Sequence, residues 1–384
     1  MQEVNNAKKN DKIKKVDNIL EGELVTTNIV NPCYGDPAER SVTKGGFISE
    51  KAFLKPDNFF INSDGLGFQR SGPRLNIALE PSKTVVAIVT CGGLCPGLNV
   101  VIRELVMSLW YNYGVRSIWG IKFGYGGIID EKCWIELTPK LVCDIHLQGG
   151  TILGTSRGGF DGPKIVEALK LKGVNMMYSI GGDGTHRGIM ALGAELKKTN
   201  TKIILAGIPK TIDNDIPLID RSFGFESAIE KAVIAIQSAN TESICTPNGI
   251  GLVKLFGRSC GFIALQASLA SRDVNICLIP ESEFNLYGDY GLLEFLRKRL
   301  ELKGHCVIVV AEGAASALKD FNVADSGKKD KSGNPILPDI GTILKNEIKT
   351  YFEGKNIEVN LKYIDPTYII RSCTANSFDA NYCA

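Results

Sequence analysis

Beyond residue 84 the chain alternates short apolar runs with longer amphipathic ones. Residues 84–90 (TVVAIVT), 116–122, 174–180 (VNMMYSI) and 202–208 are apolar and of strand length, whereas 98–111, 163–172 and 186–198 repeat their apolar positions at helical spacing. The pattern continues with strands predicted at 250–256, 274–279, 306–311 and 357–361, and helices at 225–239, 261–271, 287–302 and 340–352. Strands separated by helices predict an α/β fold of parallel sheets wrapped by helices. At 384 residues the chain exceeds a usual single core, which predicts two domains. Residues 20–81 carry turn clusters but little periodicity and read as an extension packed on the main body. Residues 1–18 are polar and lysine-rich, and read as a disordered, solvated tail.

Two of the strands end in loops rich in chemistry. The run 174–180 leads into Gly181-Gly182-Asp183-Gly184-Thr185 and a helix, and the run 202–208 leads into Pro209-Lys210-Thr211-Ile212-Asp213-Asn214-Asp215. In a strand-helix-strand unit both loops open on the same sheet edge, where ligands of open α/β sheets bind. Glycines allow a backbone to approach phosphate closely, and the helix start adds amides and the positive end of its dipole. A carboxylate in such a loop repels phosphate unless a cation stands between them, so Asp183 reads as a magnesium anchor. One of Asp213 and Asp215 reads as a general base. Gly, Asp and Asn are also ordinary turn formers, and one such loop alone reads as structural. Two on adjacent strands point to a site.

Further loops fit the same chemistry. Residues 91–97 (CGGLCPG) follow the first strand but lack the GK[ST] of a classical P-loop. In 149–162 (GGTILGTSRGGFDG) Arg157 stands among small residues, where a guanidinium can hold phosphate with two bonds. Gly257-Arg258-Ser259-Cys260-Gly261 matches a hydrolase nucleophile elbow, but the one histidine after it, His305, opens a strand and so belongs to the opposite sheet edge.

Composition narrows the class. A net charge of +2 with 22% charged residues offers no nucleic-acid surface, so any anion site is local. Eleven cysteines without a CxxC suggest neither a zinc site nor a disulfide framework, and reduced thiols in a cytoplasmic setting are expected. No apolar run is long enough to span a bilayer, and no hydrophobic segment follows the N-terminal lysines, so no membrane association is expected.

GGDGT followed by PKTIDND, LFGRSCG, IPESEF and YIIR in that order resembles the phosphofructokinase family, from about Thr84 to the end. NPCYGDPAERSVTKGGF and VTCGGLCPGLN look like its plant and protist branch. The resemblance implies two three-layer domains facing one cleft, a nucleotide domain of residues 81–224 plus 373–384 and a sugar domain of 225–372. It implies transfer of a phosphoryl group from ATP, with magnesium, to the 1-hydroxyl of fructose 6-phosphate. Asp213 then corresponds to the base, Asp215 to its support and Asp183 to the magnesium ligand. Gly93 corresponds to a backbone contact with nucleotide phosphates, and Arg157 with Gly158 to the clamp on the transferred group. Gly182, Gly184, Thr185, Gly188 and Lys210 fall to the donor. Thr211, Phe256, Gly257, Arg258, Glu281, Tyr368 and Arg371 fall to the sugar phosphate, with Phe256 where relatives usually carry methionine. Lys362 stands where many relatives use an arginine from a neighbouring subunit, which implies a homo-oligomer, a dimer or tetramer.

The resemblance also implies a final helix that relatives continue past Ala384, so exposed apolar surface and weak activity are expected of this chain. Three other readings stand beside the first: a pyrophosphate-dependent enzyme, a lipid or NAD kinase, and a silent subunit that binds sugar phosphate.

Overall fold

The computed structural model describes three short strands of the N-terminal extension and residues 76–216, 219–319 and 337–384. The strands β1 (Lys14–Lys15), β2 (Phe47–Ser49) and β3 (Leu66–Gln69) form a small sheet in the order β1-β3-β2. Apart from Lys14–Lys15, the disorder expected of 1–18 falls outside the described residues.

The first main sheet contains β4 (Val85–Thr90), β5 (Ser117–Ile121), β6 (Trp134–Glu136), β7 (Met176–Gly181) and β8 (Ile204–Pro209), in the order β6-β5-β4-β7-β8. Its helices are α1 (Leu98–Met107), the short α2 (Pro139–Val142), α3 (Gly162–Leu171) and α4 (Asp183–Lys198). Strand alternation sorts the core into two faces. Val86 and Ile88 point to α1, while Ala87 and Val89 point to α3 and α4. Sequence periodicity missed β6, which runs antiparallel to β5 and contributes only three residues, too few to establish a period.

The second sheet is all parallel, with β10 (Ile276–Leu278), β11 (His305–Ala311), β9 (Gly249–Leu255) and β12 (Asn360–Ile364) in that spatial order. Here α5 (Phe225–Ile244) and α6 (Phe262–Ser271) cover one face, and α7 (Leu292–Lys303) and α8 (Ile340–Glu353) the other. The last strand lies three residues later than its apolar run predicted, because β9 fixes the register by pairing Gly249 with Asn360 and Val253 with Ile364. Two short helices, α9 (Thr367–Ser372) and α10 (Ser377–Cys383), close the chain.

Both sheets lie between helical layers, so each buries both faces. Half-buried Ile212, in the loop after β8, packs against a core of each sheet. Every cysteine among the described residues is a free thiol. No helix among the described residues is long and apolar enough to cross a membrane.

Asp379 on α10 is 1% exposed and accepts from Ser227 N at 2.7 Å and Ser227 Oγ at 2.5 Å. Ser227 lies in the first turn of α5, whose N-cap Gly224 supplies no side-chain oxygen, so a carboxylate from a distant segment caps that helix. Asp379→Ala would leave two buried donors without partners and is expected to cost about 2–4 kcal/mol. Asp379→Asn keeps an acceptor and should cost less, and urea denaturation compares the two.

Candidate active site

Strands β4, β7, β8, β9 and β11 all deliver their C-terminal loops to one cleft of about 680 Å³ between the two sheets. Hydrogen bonds hold the glycine loop after β4 against the arginine-bearing segment: Gly92 N donates to Ser156 O at 3.1 Å, and Thr155 Oγ1 donates to Gly92 O at 2.6 Å. Gly92 has φ +84°, a conformation glycine adopts without strain. Cations gather over this loop. A Cβ built on Gly93 would lie 3.8 Å from Arg157 Nη2 and 4.0 Å from Arg371 Nη1, and one on Gly92 would lie 4.0 Å from Lys210 Nζ. Burial pulls the Lys210 ammonium below its ordinary range, partly offset by nearby Cys95 and Asp213.

Helix α4 starts at Asp183, with Gly182 as N-cap, so its first-turn amides face the cleft beside Gly184 and Thr185. Asp183 is exposed there. Among the described residues no group of three or more His, Cys, Asp or Glu side chains could cage a metal. A single open carboxylate suits magnesium that completes its shell with phosphate oxygens and water. Next to this turn, Tyr125 Oη donates to Thr185 O at 2.7 Å and meets the edge of Phe160 at 5.5 Å between centroids. Both aromatics line the cleft, as does Gly188.

The loop after β8 holds the acids. Thr211 Oγ1 accepts from Asp213 N at 3.1 Å and donates to Asp215 Oδ1 at 2.9 Å. Asn214, at φ +56°, turns the chain between the two aspartates, and its side chain accepts from Ser222 N at 2.6 Å. Ser222 Oγ in turn donates to Thr211 O at 2.7 Å. This clasp presents Asp213 with Oδ1 buried and without a partner, although the cleft leaves the residue partly open. Burial first, then the carboxylates of Asp215 and Glu312, push its pKa up to about 7, against the opposing pull of Lys210 and Arg258.

The second domain closes the site through a locked pair of loops. Gly257 has φ +129°, and a Cβ there would strike Cys260 O at 2.2 Å. Gly313 N donates to Gly257 O at 2.8 Å, which brings Arg258 and Glu312 to the same wall. Cys260 Sγ reaches Asp213 O at 3.5 Å, across the cleft floor.

Of the sequence-predicted residues, Gly93, Arg157, Gly158, Gly182, Asp183 and Gly184 line the cleft, as do Thr185, Gly188, Lys210, Thr211, Asp213 and Asp215. Phe256, Arg258 and Arg371 line its other wall. Gly257, Glu281, Lys362 and Tyr368 do not. Glu281 Oε1 accepts from Gly261 N at 2.8 Å, Lys362 is exposed on β12, and Tyr368 is 72% exposed beneath the Arg371 guanidinium. Ser259 lines the cleft, but His305 pairs in register with Gly249 at the far end of β9, which excludes a nucleophile elbow. Sequence reasoning missed Glu312, Tyr125 and Phe160. A lone acid directly after a buried strand was the available signal for Glu312.

The raised pKa makes Asp213 a cost to folding. Its folded value of about 7 lies above the unfolded 3.8, so stability falls as pH rises through that window. Asp213→Asn is expected to stabilise the unliganded protein by a few kcal/mol, roughly 4 at most, at pH 8 and hardly at pH 4. Melting curves at both pH values check this.

A family model described as Phosphofructokinase matches residues 85–384. The chain is 49% identical over 356 residues to "ATP-dependent 6-phosphofructokinase 7" of Arabidopsis thaliana, covering 92% of this chain and 73% of that protein. It is also 49% identical over 351 residues to "ATP-dependent 6-phosphofructokinase" of Borreliella burgdorferi, covering 88% and 78%. Among solved structures, the pyrophosphate-dependent phosphofructokinase of Marinobacter aquaeolei superposes with a TM-score of 0.62 at 16% identity, over 78% of this chain and 73% of that one, a likeness of fold.

Proposed function

The chain belongs to the phosphofructokinase family, and we propose that Asp213 takes the proton from the 1-hydroxyl of fructose 6-phosphate as ATP donates its γ-phosphoryl group. The enzyme is an ATP-dependent 6-phosphofructokinase, a glycolytic kinase that uses ATP with Mg²⁺. The observation that carries the role of Asp213 is its buried, unpartnered Oδ1, poised at a pKa of about 7. A base works best when its pKa lies near the working pH, and this carboxyl, partly open to the cleft, keeps an oxygen that no protein group engages.

The other groups position and neutralise, which is most of what phosphoryl transfer requires. Arg157 and Lys210 meet the transferred group over Gly92 and Gly93, while Gly158, Gly182, Thr185 and Gly188 let the donor approach. Asp183 would hold Mg²⁺, which would shield the charge of the donor phosphates. Arg258 and Arg371 hold the sugar phosphate, with Phe256 and Thr211 against the sugar. Asp215 accepts the Thr211 hydroxyl hydrogen, so that the hydroxyl oxygen accepts from Asp213 N and fixes the loop beneath the base. Glu281 supports the Arg258 loop through Gly261 N.

Gly184 supports ATP over pyrophosphate as donor. An aspartate at 184 would set a side chain and a negative charge where the nucleotide α-phosphate lies, and glycine removes both barriers. Lys210 suits either donor. Tyr125 and Phe160 add an aromatic wall that suits a nucleobase. Residues 81–224 form the donor domain, and 225–372 the sugar domain. Residues 373–384 return to α1 through Cys383, whose Sγ lies 3.8 Å from Gly97 O. Exposed Leu269, Tyr368 and Ile369 on α6 and α9 support a homo-oligomer, in which Lys362 reaches a neighbouring site. A cytoplasmic location is the reading that fits free thiols at every cysteine among the described residues.

Asp213→Asn is expected to lower kcat about 10²- to 10⁴-fold with much less change in affinity for fructose 6-phosphate. A variant that kept more than half its turnover would remove Asp213 from this role. Gly184→Asp should abolish most ATP-dependent turnover, measured against ATP and pyrophosphate in parallel.

A further inference from the structure

Lys254 lies on β9, four residues before Arg258, with its side chain 16% exposed. Its Nζ is 2.8 Å from Asp365 Oδ2 and 3.1 Å from Asp339 Oδ1. The first contact follows from sheet register, since Val253 pairs with Ile364, Lys254 is the next residue of β9, and Asp365 is the first residue past β12. Asp365 divides its oxygens: Oδ2 meets the ammonium, and Oδ1 accepts from Thr367 N at 3.1 Å and from the Thr367 hydroxyl. Thr367 opens α9, the helix that carries Arg371 into the cleft.

Helix α9 has six residues, too few to hold a direction by its own hydrogen bonds. Buried Ile370 anchors its middle in the second domain's core. Rotation about that anchor would swing Arg371 away from Gly93, and the Asp365 contact at the first turn resists it. We propose that Lys254 is a positioning residue for the sugar-phosphate site, acting through Asp365 and α9 on Arg371. This rests on the reading that Arg371 holds the sugar phosphate. The second carboxylate has a different task. Asp339 Oδ2 accepts from Thr342 Oγ1 at 2.7 Å at the start of α8, which sends no residue into the cleft. It therefore serves as an internal control.

The test is the KM for fructose 6-phosphate and kcat in Lys254→Met, Asp365→Asn, Asp339→Asn and Arg371→Ala, and in the first two combined with Arg371→Ala. Lys254→Met and Asp365→Asn are each expected to raise KM about tenfold while kcat changes far less, and to add nothing once Arg371 is alanine. Asp339→Asn should leave KM unchanged, and Lys254→Arg should restore most of it. An unchanged KM in Lys254→Met, an equal rise in the Arg371→Ala background, or an equal rise in Asp339→Asn would overturn the proposal. Should Lys254→Met fail to fold, Asp365→Asn and its double variant give the same two readings. If Arg371→Ala itself leaves KM unchanged, the assignment of Arg371 falls, and the positioning role falls with it.

Discussion

A carboxylate buried beside two others is expensive to keep charged, and the cleft is arranged around that cost. Asp213 is pressed toward neutrality by burial, Asp215 and Glu312, and pulled back toward charge by Lys210 and Arg258. The first side wins, and brings the carboxyl's pKa to about 7. A base left in water would titrate near the ordinary carboxylate value and bind its proton too weakly to drive transfer, whereas one without nearby cations would stay protonated. Chemistry at neutral pH depends on this balance being held in place.

The fold supplies that rigidity from both sides of the cleft. The loop after β8 is tied by Thr211, Asn214 and Ser222, and its Ile212 packs into a core of each sheet. Across the cleft, the Gly313–Gly257 bond sets the wall that presents Arg258 and Glu312. The groups that oppose or support charge on Asp213 therefore come from both sheets, each buried on both faces. Their spacing depends on how the two domains meet, which Cys260 and Ile212 help to define.

Much of this was legible along the chain. The two chemistry-rich loops follow apolar runs that did become β7 and β8, and their residues meet in the cleft as the parallel arrangement requires. Glu312 was marked only as a lone acid directly after an apolar run, because its importance comes from standing opposite Asp213, about a hundred residues away in sequence. Tyr125 lies in a turn of glycines and becomes a wall only because Thr185 accepts its hydroxyl. The cap that Asp379 places on α5 links residues 152 apart, and α9 is too short to express a period. Local periodicity records which face of an element is apolar, whereas these features depend on which elements meet.

The balance at Asp213 is tested most directly by the pH dependence of kcat/KM for fructose 6-phosphate in the unmodified enzyme and in Glu312→Gln. The unmodified profile should rise through an acid limb near pH 7, the value at which Asp213 loses its proton. Removing the Glu312 charge should move that limb to lower pH, even where the substitution weakens sugar binding. A limb in the ordinary carboxylate range, or one that stays in place when Glu312 is neutral, would contradict the account.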